Sequence, residues 1–335
     1  MKVQYLFFVG LDVSKEKVDA CVIDGSGVQH FLQFKNTIKD IKKFIKEVNK
    51  LIKAKDGLKS VLFCLEHTGD YINRLVHVFT QLKLAVWVES ASRIRETQGG
   101  LTRGKDDKID ALRIAKYALR YTDQVRLWKA KRDVIEKLRY LFKVREVFVK
   151  QAKGLDQAMK DKQAFDAAGL LKDYKAYHEE PVKALHAQRK EIDKEIARLI
   201  KGDTGLKLIY RILTSVPGVG LVNAVQTIVC TNEFTSFTSP KAYAVQAGVV
   251  PFPHQSGKVK WKERVSQKAN KKIKANLQMA AIAAVKKKGD LQTYYLRKIE
   301  EGKNKMSVLN AVRNKLIHIM FALVRDGREY EISNA

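Results

Sequence analysis

The sequence predicts an α/β N-terminal domain built on a mixed sheet (residues 1–125), a long helical coiled-coil linker (126–203) and a mainly α-helical C-terminal domain (204–335). Three observations carry this. Apolar, strand-like runs alternate with helix-period stretches in the first third of the chain. Apolar residues spaced by three, four or seven then take over among many charges. A Gly-, Pro-, Ser- and Lys-rich region with helical stretches follows. At 335 residues the chain is too long for one small core.

Each element has a local reason. "YLFFVGL" (5–11) is apolar and aromatic and predicts a buried strand. "KVDACVI" (17–23) alternates, "DGSG" (24–27) is turn chemistry, and "VQHFLQF" (28–34) returns, so the first three strands form an antiparallel meander. In "TIKDIKKFIKEVNKLI" (37–52), Ile38, Ile41, Phe44, Ile45, Val48 and Ile52 share a helix face. "SVLFCLE" (60–66) and "LAVWVE" (84–89) predict two more strands, separated by the helical "YINRLVHVFTQL" (71–82). Val134, Leu138, Leu141, Phe148, Ala152, Leu155 and Met159, then Leu185, Ile192, Ile196 and Leu199, predict two long helices in an antiparallel hairpin or coiled-coil bundle, ended by "KGDTG" (201–205). "TSVPGVGLVNAVQTIV" and the helical "KKIKANLQMAAIAAVKKK" mark the third region.

The net charge of +28, from 64 Lys and Arg against 36 Asp and Glu, points to a polyanionic partner, DNA or RNA, over a merely solvated basic surface. A membrane role is weaker: no run of about 18 apolar residues is present. The opening "MKVQYLFFVGLDVSKEK" meets Asp12 almost at once and lacks a signal-peptide cleavage site. Cys21, Cys64 and Cys230 form no CxxC pair and the histidines no HExxH, which predicts a reducing cytoplasm and neither a disulfide framework nor a thiolate zinc site.

Against this basic background, "GKDDKIDAL" concentrates acid. Asp107 and Asp110 are three residues apart, and Asp106 and Asp110 four apart, so on a helix they share one sector. Ile109, Leu112, Ala115 and Leu119 occupy another sector, suited to pack on the sheet. One explanation is a helix N-terminal turn that favours Asp through the dipole, with Lys105 and Lys108 as counter-charges. Two further acids favour another. Asp12 ends the strand "YLFFVGL" and Glu66 ends "SVLFCL", and a carboxylate straight after a buried run needs a partner. If the first and fourth strands are neighbours, Asp12 and Glu66 lie side by side, and a following helix brings Asp107 and Asp110 above them. Converging carboxylates are hard oxygen ligands suited to Mg²⁺ or Mn²⁺. Two such ions would clamp a scissile phosphate, activate a nucleophile and stabilise the leaving oxygen.

The order Asp12 in "VGLDVSKEKVD", Glu66 in "LEHTG", then Asp107 and Asp110 in "KDDKIDA" resembles the DEDD-type insertion-sequence transposases, the IS-one-ten family of bridge-RNA-guided recombinases, with pilin-gene invertases as relatives. "SVPGVG" (215–220) resembles the family's Pro-Gly-hydrophobic-Gly element and "AGVVPFPHQSGK" (247–258) its Gly-x-x-Pro segment followed by Ser-Gly, so the likeness covers most of the chain. It implies an RNase H-like, RuvC-like first domain, a DEDD metal site at Asp12, Glu66, Asp107 and Asp110, and Ser256 as a nucleophile that forms a phosphoserine link to DNA. It also implies donor and target duplexes as substrates, a structured bridge RNA supplying specificity, a dimer or tetramer, and action in the cytoplasm of a bacterial or archaeal cell. The serine needs activation near neutral pH. No Ser-His-Asp set is visible, and His254 two residues away is incidental. "SQKANKKIK" departs from the family, with Ala269 where Gly is usual and Ile273-Lys274 where Leu-Arg is usual; lysine loses bidentate phosphate binding at that position.

The nucleic-acid grip is expected in three places. Gly218 and Gly220 form a glycine turn that opens a helix, either cradling a phosphate on backbone N–H groups or simply packing it. Lys258, Lys260, Lys262, Arg264, Lys268, Lys271, Lys272 and Lys274 surround Trp261, a density that tracks a backbone with an aromatic for stacking. Arg103 and Lys105 lie in the basic, Gly-rich "ASRIRETQGGLTRGK" beside the acids. The leading expectation is therefore a DNA transposase or recombinase. The rivals are a RuvC-like junction resolvase or nuclease that uses water as nucleophile, and a non-catalytic nucleic-acid-binding scaffold.

Overall fold

The computed structural model describes residues 5–27, 29–52, 56–97, 107–172, 175–237, 239–256 and 259–331, with Asp107, Ala176, His254, Lys260 and Lys262 described by their backbone alone. The chain divides into two compact units, 1–130 and 131–335.

The first unit runs β1 (Phe7–Val13), β2 (Lys17–Asp24), β3 (Gln29–Lys35), α1 (Ile38–Ile52), β4 (Val61–Glu66), α2 (Asn73–Gln81), β5 (Ala85–Glu89), α3 (Ala91–Glu96) and α4 (Asp107–Arg120). Its five strands order as β3-β2-β1-β4-β5. The meander β1–β2–β3 is antiparallel, while β4 and β5 add parallel to β1. This is the RNase H-like, RuvC-like arrangement expected. The β2–β3 turn is made as its sequence predicts: Ser26 donates from both its backbone N (2.9 Å) and its hydroxyl (2.7 Å) to the Asp24 carboxylate, and Gly27 takes φ +90°.

Strand alternation splits the sheet's side chains between two cores. Val9, Leu11, Phe63 and Leu65 pack on one face with Phe44 and Val48 of α1 and Leu75 and Phe79 of α2. Phe8, Cys21, Leu62, Cys64 and Trp87 pack on the other with Ala111, Ile114, Ala115 and Ala118 of α4. Each large side chain so buried contributes about 1.5–3 kcal/mol. Two details differ from expectation. Ile38, in the first turn of α1, is exposed while the rest of its predicted stripe is buried. On α4 the sheet-facing residues are Ala111, Ile114, Ala115 and Ala118, and Ile109 is exposed. Leu112 and Leu119 still pack against this core, so the buried stripe keeps three of its four expected residues and widens towards the sector that carries Asp110. The reason is proximity: a Cβ at Gly10 would stand 2.2 Å from the Ala111 carbonyl oxygen and 2.3 Å from Ala115 N, so small residues face each other there.

The second unit contains α5 (Asp133–Ala164), α6 (Lys175–Lys201), α7 (Thr204–Ser215), α8 (Leu221–Thr231), α9 (Pro240–Gln246), β6 (Pro251–Ser256), β7 (Val259–Val265), α10 (Lys271–Lys286), α11 (Asp290–Glu300) and α12 (Lys305–Asp326). Helices α5 and α6 form the predicted antiparallel hairpin, with Arg145 Nε 2.6 Å from Asp193 Oδ1. Ile135, Leu138, Phe142, Ile196 and Ile200 at its base join the core of α7–α12, while Phe165 and Tyr177 at its far end are exposed. Arg132, ahead of α5, pairs with both Asp203 and Glu233 and ties the hairpin base to α7 and the end of α8. The antiparallel β6–β7 ribbon, bulged between Phe252 and His254, has no counterpart among the predicted strands. Helix α12 is long and apolar enough to cross a membrane, although its charges break the apolar run. In the fold, Val308, Val312, Leu316, Ile317, Met320 and Leu323 place it in the core.

The contact at Gly10 generates a test. Because the atoms opposing a new Cβ are backbone, Gly10→Ala forces α4 off the sheet. Urea unfolding should show a loss of at least about 1–3 kcal/mol.

Candidate active site: carboxylates across four strands

Asp12 and Asp19 are cross-strand partners on β1 and β2. Glu66 and Glu89 are partners on β4 and β5. Leu11 pairs with Leu65, so Asp12 and Glu66 are the next residues of two adjacent parallel strands. Counting by twos from Phe8, Cys21, Cys64 and Trp87 puts all four acids on the α4-covered face. The result is one row, Asp19–Asp12–Glu66–Glu89, at one end of the sheet.

Helix α4 brings its acidic N-terminus to that row. Its last turns, at Leu119, line a cleft with Tyr5 to Phe8 at the start of β1. Ala111 and Ala115 sit on Gly10. Helix and strand are therefore antiparallel. Two strand residues beyond Gly10, about 6.6 Å, is Asp12. Four helix residues before Ala111, about 6 Å, is Asp107. Asp110 lies within that turn, and its carboxylate accepts from Arg113 Nη1 at 2.8 Å. Four of the sequence-predicted acids, Asp12, Glu66, Asp107 and Asp110, thus belong to one end of one face. Asp106 lies outside the described residues. Among the described residues no three His, Cys, Asp or Glu side chains gather closely enough to hold a metal ion, and Asp107's side chain stands outside that description. The donors present are carboxylates on rigid strands, the hard oxygen chemistry that suits Mg²⁺ or Mn²⁺.

The row is compensated unevenly. At one end Asp19, only 6% exposed at its side chain, accepts from Gln33 Nε2 (2.6 Å) and pairs with Lys17 Nζ (3.2 Å). At the other, the Glu89 carboxylate accepts from Ser90 N (2.8 Å), Arg93 Nη1 (3.3 Å) and the Tyr117 hydroxyl (3.3 Å). Half-buried Glu66 has no hydrogen-bond or ion-pair partner among the described residues. Like charges one strand apart destabilise a sheet unless something neutralises them. Asp19 and Glu89 were missed in the sequence, although "VWVE" ends a strand on an acid just as "LFCLE" does. The thiols of Cys21 and Cys64 on this face are pushed up by burial and are packing groups.

In the second unit, Ser256 is the exposed last residue of β6, paired with Val259 across the ribbon. Trp261 is 49% exposed on β7, beside Lys260 and Lys262, and Arg264 pairs across with Phe252. Lys268 lies between β7 and α10, and Lys271, Lys272 and Lys274 are in the first turn of α10, whose Asn270 cap accepts from Lys272 N and Ile273 N. Lys272 is already engaged, with Nζ 2.7 Å from Glu146 Oε2. Gly218, at φ +82°, is held against α10, where a Cβ would stand 2.1 Å from the Ala280 carbonyl oxygen; close packing accounts for this glycine. Gly220 caps α8 without a side-chain bond. Arg103, Lys105 and Lys258 lie outside the described residues.

The Glu89 brace is testable. Burial first, then the charge of Glu89, pushes the Tyr117 phenol up from 10 to about 12. Its proton is thus held more tightly in the folded state. Tyr117's contribution to stability is complete below pH 10 and is lost as the pH climbs towards 12. Glu89→Gln should move this phenol back towards 10, measured by near-ultraviolet phenolate titration with Tyr117→Phe as the difference blank.

Comparison with known proteins matches this arrangement. A DEDD-type IS110 transposase profile matches residues 9–162, and a profile described as "Transposase IS116/IS110/IS902 family" matches residues 210–296. Pilin gene-inverting proteins of Moraxella bovis and Moraxella lacunata are 26% and 27% identical over 97% of this chain and 97% of their own length. An uncharacterised 43.6 kDa protein of insertion element IS110 from Streptomyces coelicolor is 30% identical over 44% of this chain and 36% of its own. Among solved structures, T. thermophilus RuvC in complex with Holliday junction substrate aligns at 10% identity over 37% of this chain and 100% of that one, with a TM-score of 0.28. Two family profiles in the expected order, with relatives matching from end to end, establish that the chain belongs to the IS110 family of transposases, enzymes of DNA recombination.

Proposed function

We propose that this transposase cuts and rejoins DNA through a phosphoserine intermediate, with Asp12, Glu66, Asp107 and Asp110 holding divalent cations and a bridge RNA choosing the sites. One observation carries the reading: Asp12 and Glu66 are adjacent on the face that α4 crosses with its acidic N-terminus, and Glu66 has no described partner. Bound Mg²⁺ or Mn²⁺ would polarise the scissile phosphate and offset its growing charge. Arg113 balances Asp110, whose carboxylate would be shared with a bound cation. Glu89 and Asp19, each held by its own donors, keep the row's outer strands from adding uncompensated charge.

The Ser256 Oγ attacks the phosphorus. Its proton passes to solvent, the Ser256 O–P bond forms, and the P–O bond to the leaving deoxyribose oxygen breaks as that oxygen takes up a proton. One phosphoester replaces another, so the reverse attack by a new strand end rejoins DNA without an energy source. Trp261 and the lysines around it hold the strand by stacking and charge, contacts that read no base sequence. Specificity then falls to a structured RNA pairing with donor and target. Two duplexes must be engaged at once, which favours a dimer or tetramer inside the cell.

The decisive experiment incubates the protein with labelled DNA, guide RNA and Mg²⁺ and then denatures it. A covalent adduct is expected, reduced at least ~10³-fold by Ser256→Ala, on the scale of removing a nucleophile elsewhere. Asp12→Ala and Glu66→Ala should abolish it as well. Cleavage that survives Ser256→Ala but not Asp12→Ala would replace this reading with a water-using nuclease. Indifference to all these changes would leave a binding scaffold. Affinity for non-specific duplex should fall roughly 10³-fold or more between about 50 and 200 mM salt, if at least six phosphates are neutralised.

A further inference from the structure

A second feature lies at the same end of the first unit. Lys15 and Lys17 in the β1–β2 turn, Lys35 at the end of β3 and Arg74 of α2 line an open cleft of about 720 Å³. Thr37 at the start of α1 also lines it, its hydroxyl accepting from Asp40 N (3.2 Å). The N-terminal turn of fifteen-residue α1 adds its dipole there, partly offset by Asp40, which accepts from the Thr37 hydroxyl at 2.7 Å, and of the four cations Lys17 is already paired with Asp19. Glu16 is the one acid in the lining. Among the described residues, Lys15, Lys35 and Arg74 have no carboxylate partner. Cations left unpaired around one concavity repel one another unless an anion sits between them.

The walls are fixed in advance. Asn36, only 3% exposed, donates through Nδ2 to the Ser14 (2.9 Å) and Tyr71 (3.1 Å) carbonyls, and through its backbone N to Glu16 O (2.8 Å). Ser14 Oγ donates to Lys17 O (2.8 Å), closing the turn. Arg74 Nη1 donates to Asn36 O (2.6 Å), which orients the guanidinium. A planar fork held by one backbone hydrogen bond, with lysines in the same lining, suits a tetrahedral oxyanion. Lys15 follows Asp12 by three residues, so their Cα atoms are at most about 10 Å apart. With one phosphate per about 3.4 Å of duplex axis along a strand, that reach is about three nucleotides.

We propose that this cleft seats a nucleic-acid backbone phosphate a few nucleotides from the one at the carboxylate row, registering the strand at the catalytic end. It is an anion site separate from the metal-binding face, and it rests on the reading of that face as the cutting site. The ligand chemistry is a phosphodiester, from substrate DNA or from the guide RNA.

The test is Lys15→Gln with Lys35→Gln in the full-length protein, against Lys46→Gln with Lys50→Gln, which removes the same charge from exposed α1 positions outside the cleft lining. Each protein is titrated with a labelled non-cognate duplex and, separately, with a labelled structured RNA over a range of salt. The cleft pair should weaken binding roughly tenfold at low salt and flatten the log affinity against log salt slope by about one. The control pair should change affinity by less than about twofold. An effect on the duplex alone assigns the phosphate to DNA, on RNA alone to the guide, and on both to either backbone. Equal effects of the two pairs on both probes overturn the proposal. The readout is binding, so it stands apart from the adduct experiment: a flat result here with a normal adduct removes this site alone, and a missing adduct with a cleft-specific slope removes the catalytic reading alone.

Discussion

The acidic end of the first unit depends on how closely α4 lies on β1. A helix normally stands off a sheet by the thickness of its side chains. Here Gly10 offers none, and the helix backbone comes within van der Waals reach of the strand. Ala111, Ala115 and Ala118 keep their side of the seam small. The same contact fixes the register of helix on strand, since Ala111 and Ala115 straddle Gly10. Register then decides which helical turn reaches the end of β1, and it is the turn carrying Asp107 and Asp110. A bulkier seam would lift the helix and carry those acids away from Asp12.

Bringing like charges together opposes folding, and the surroundings show where that opposition is met. Asp19 and Glu89 are settled by donors from their own neighbourhood: Lys17 and Gln33 on one side, Arg93, Ser90 and Tyr117 on the other. Asp110 has Arg113. Glu66, in the interior of the row, has no described partner. A protein with a net charge of +28 has cations to spare for one more carboxylate. That none of the described residues places one there fits a counter-charge from outside the chain. The basic cleft at the same strand ends is the complementary case: Lys17 pairs with Asp19 and Glu16 lies in the lining, while Lys15, Lys35 and Arg74 have no carboxylate partner among the described residues. In the reading proposed, acid for a metal and base for a phosphate, on elements a few residues apart, would divide the two charges of a metal–phosphodiester complex between them.

Much of this was legible in the sequence. The five strands, their meander and the first two helices were found nearly to the residue, because buried strands flanked by turn residues leave an unmistakable pattern. Asp12 and Glu66 stood out because each ends an apolar run. Glu89 ends one too and was passed over; nothing local distinguishes an acid that a tyrosine and an arginine will cover from one left bare. Of the stripe expected on α4, Leu112, Ala115 and Leu119 pack against the core; Ile109 is left outside because the closest approach to the sheet selects alanine. The β6–β7 ribbon was missed because "PFPHQS" has two prolines and no alternation, and its side chains are largely exposed, so burial never shaped its sequence.

That exposure bears on the nucleophile proposed, Ser256. A two-stranded ribbon is marginally stable without a third strand or a face packed on a core. Ser256 sits at the end of such a ribbon, with Phe252, Val259 and Trp261 exposed along it. A serine held by a core would be aimed by the protein alone. This one would be aimed by whatever the ribbon touches, and the facing strand carries Trp261 in a lysine-rich sequence, the residue types that bind a nucleic-acid strand. Catalytic geometry that is completed by substrate contact keeps a reactive alcohol away from phosphodiesters until a strand is bound. If Ser256 is the nucleophile proposed, its exposed place on the ribbon would supply that restraint.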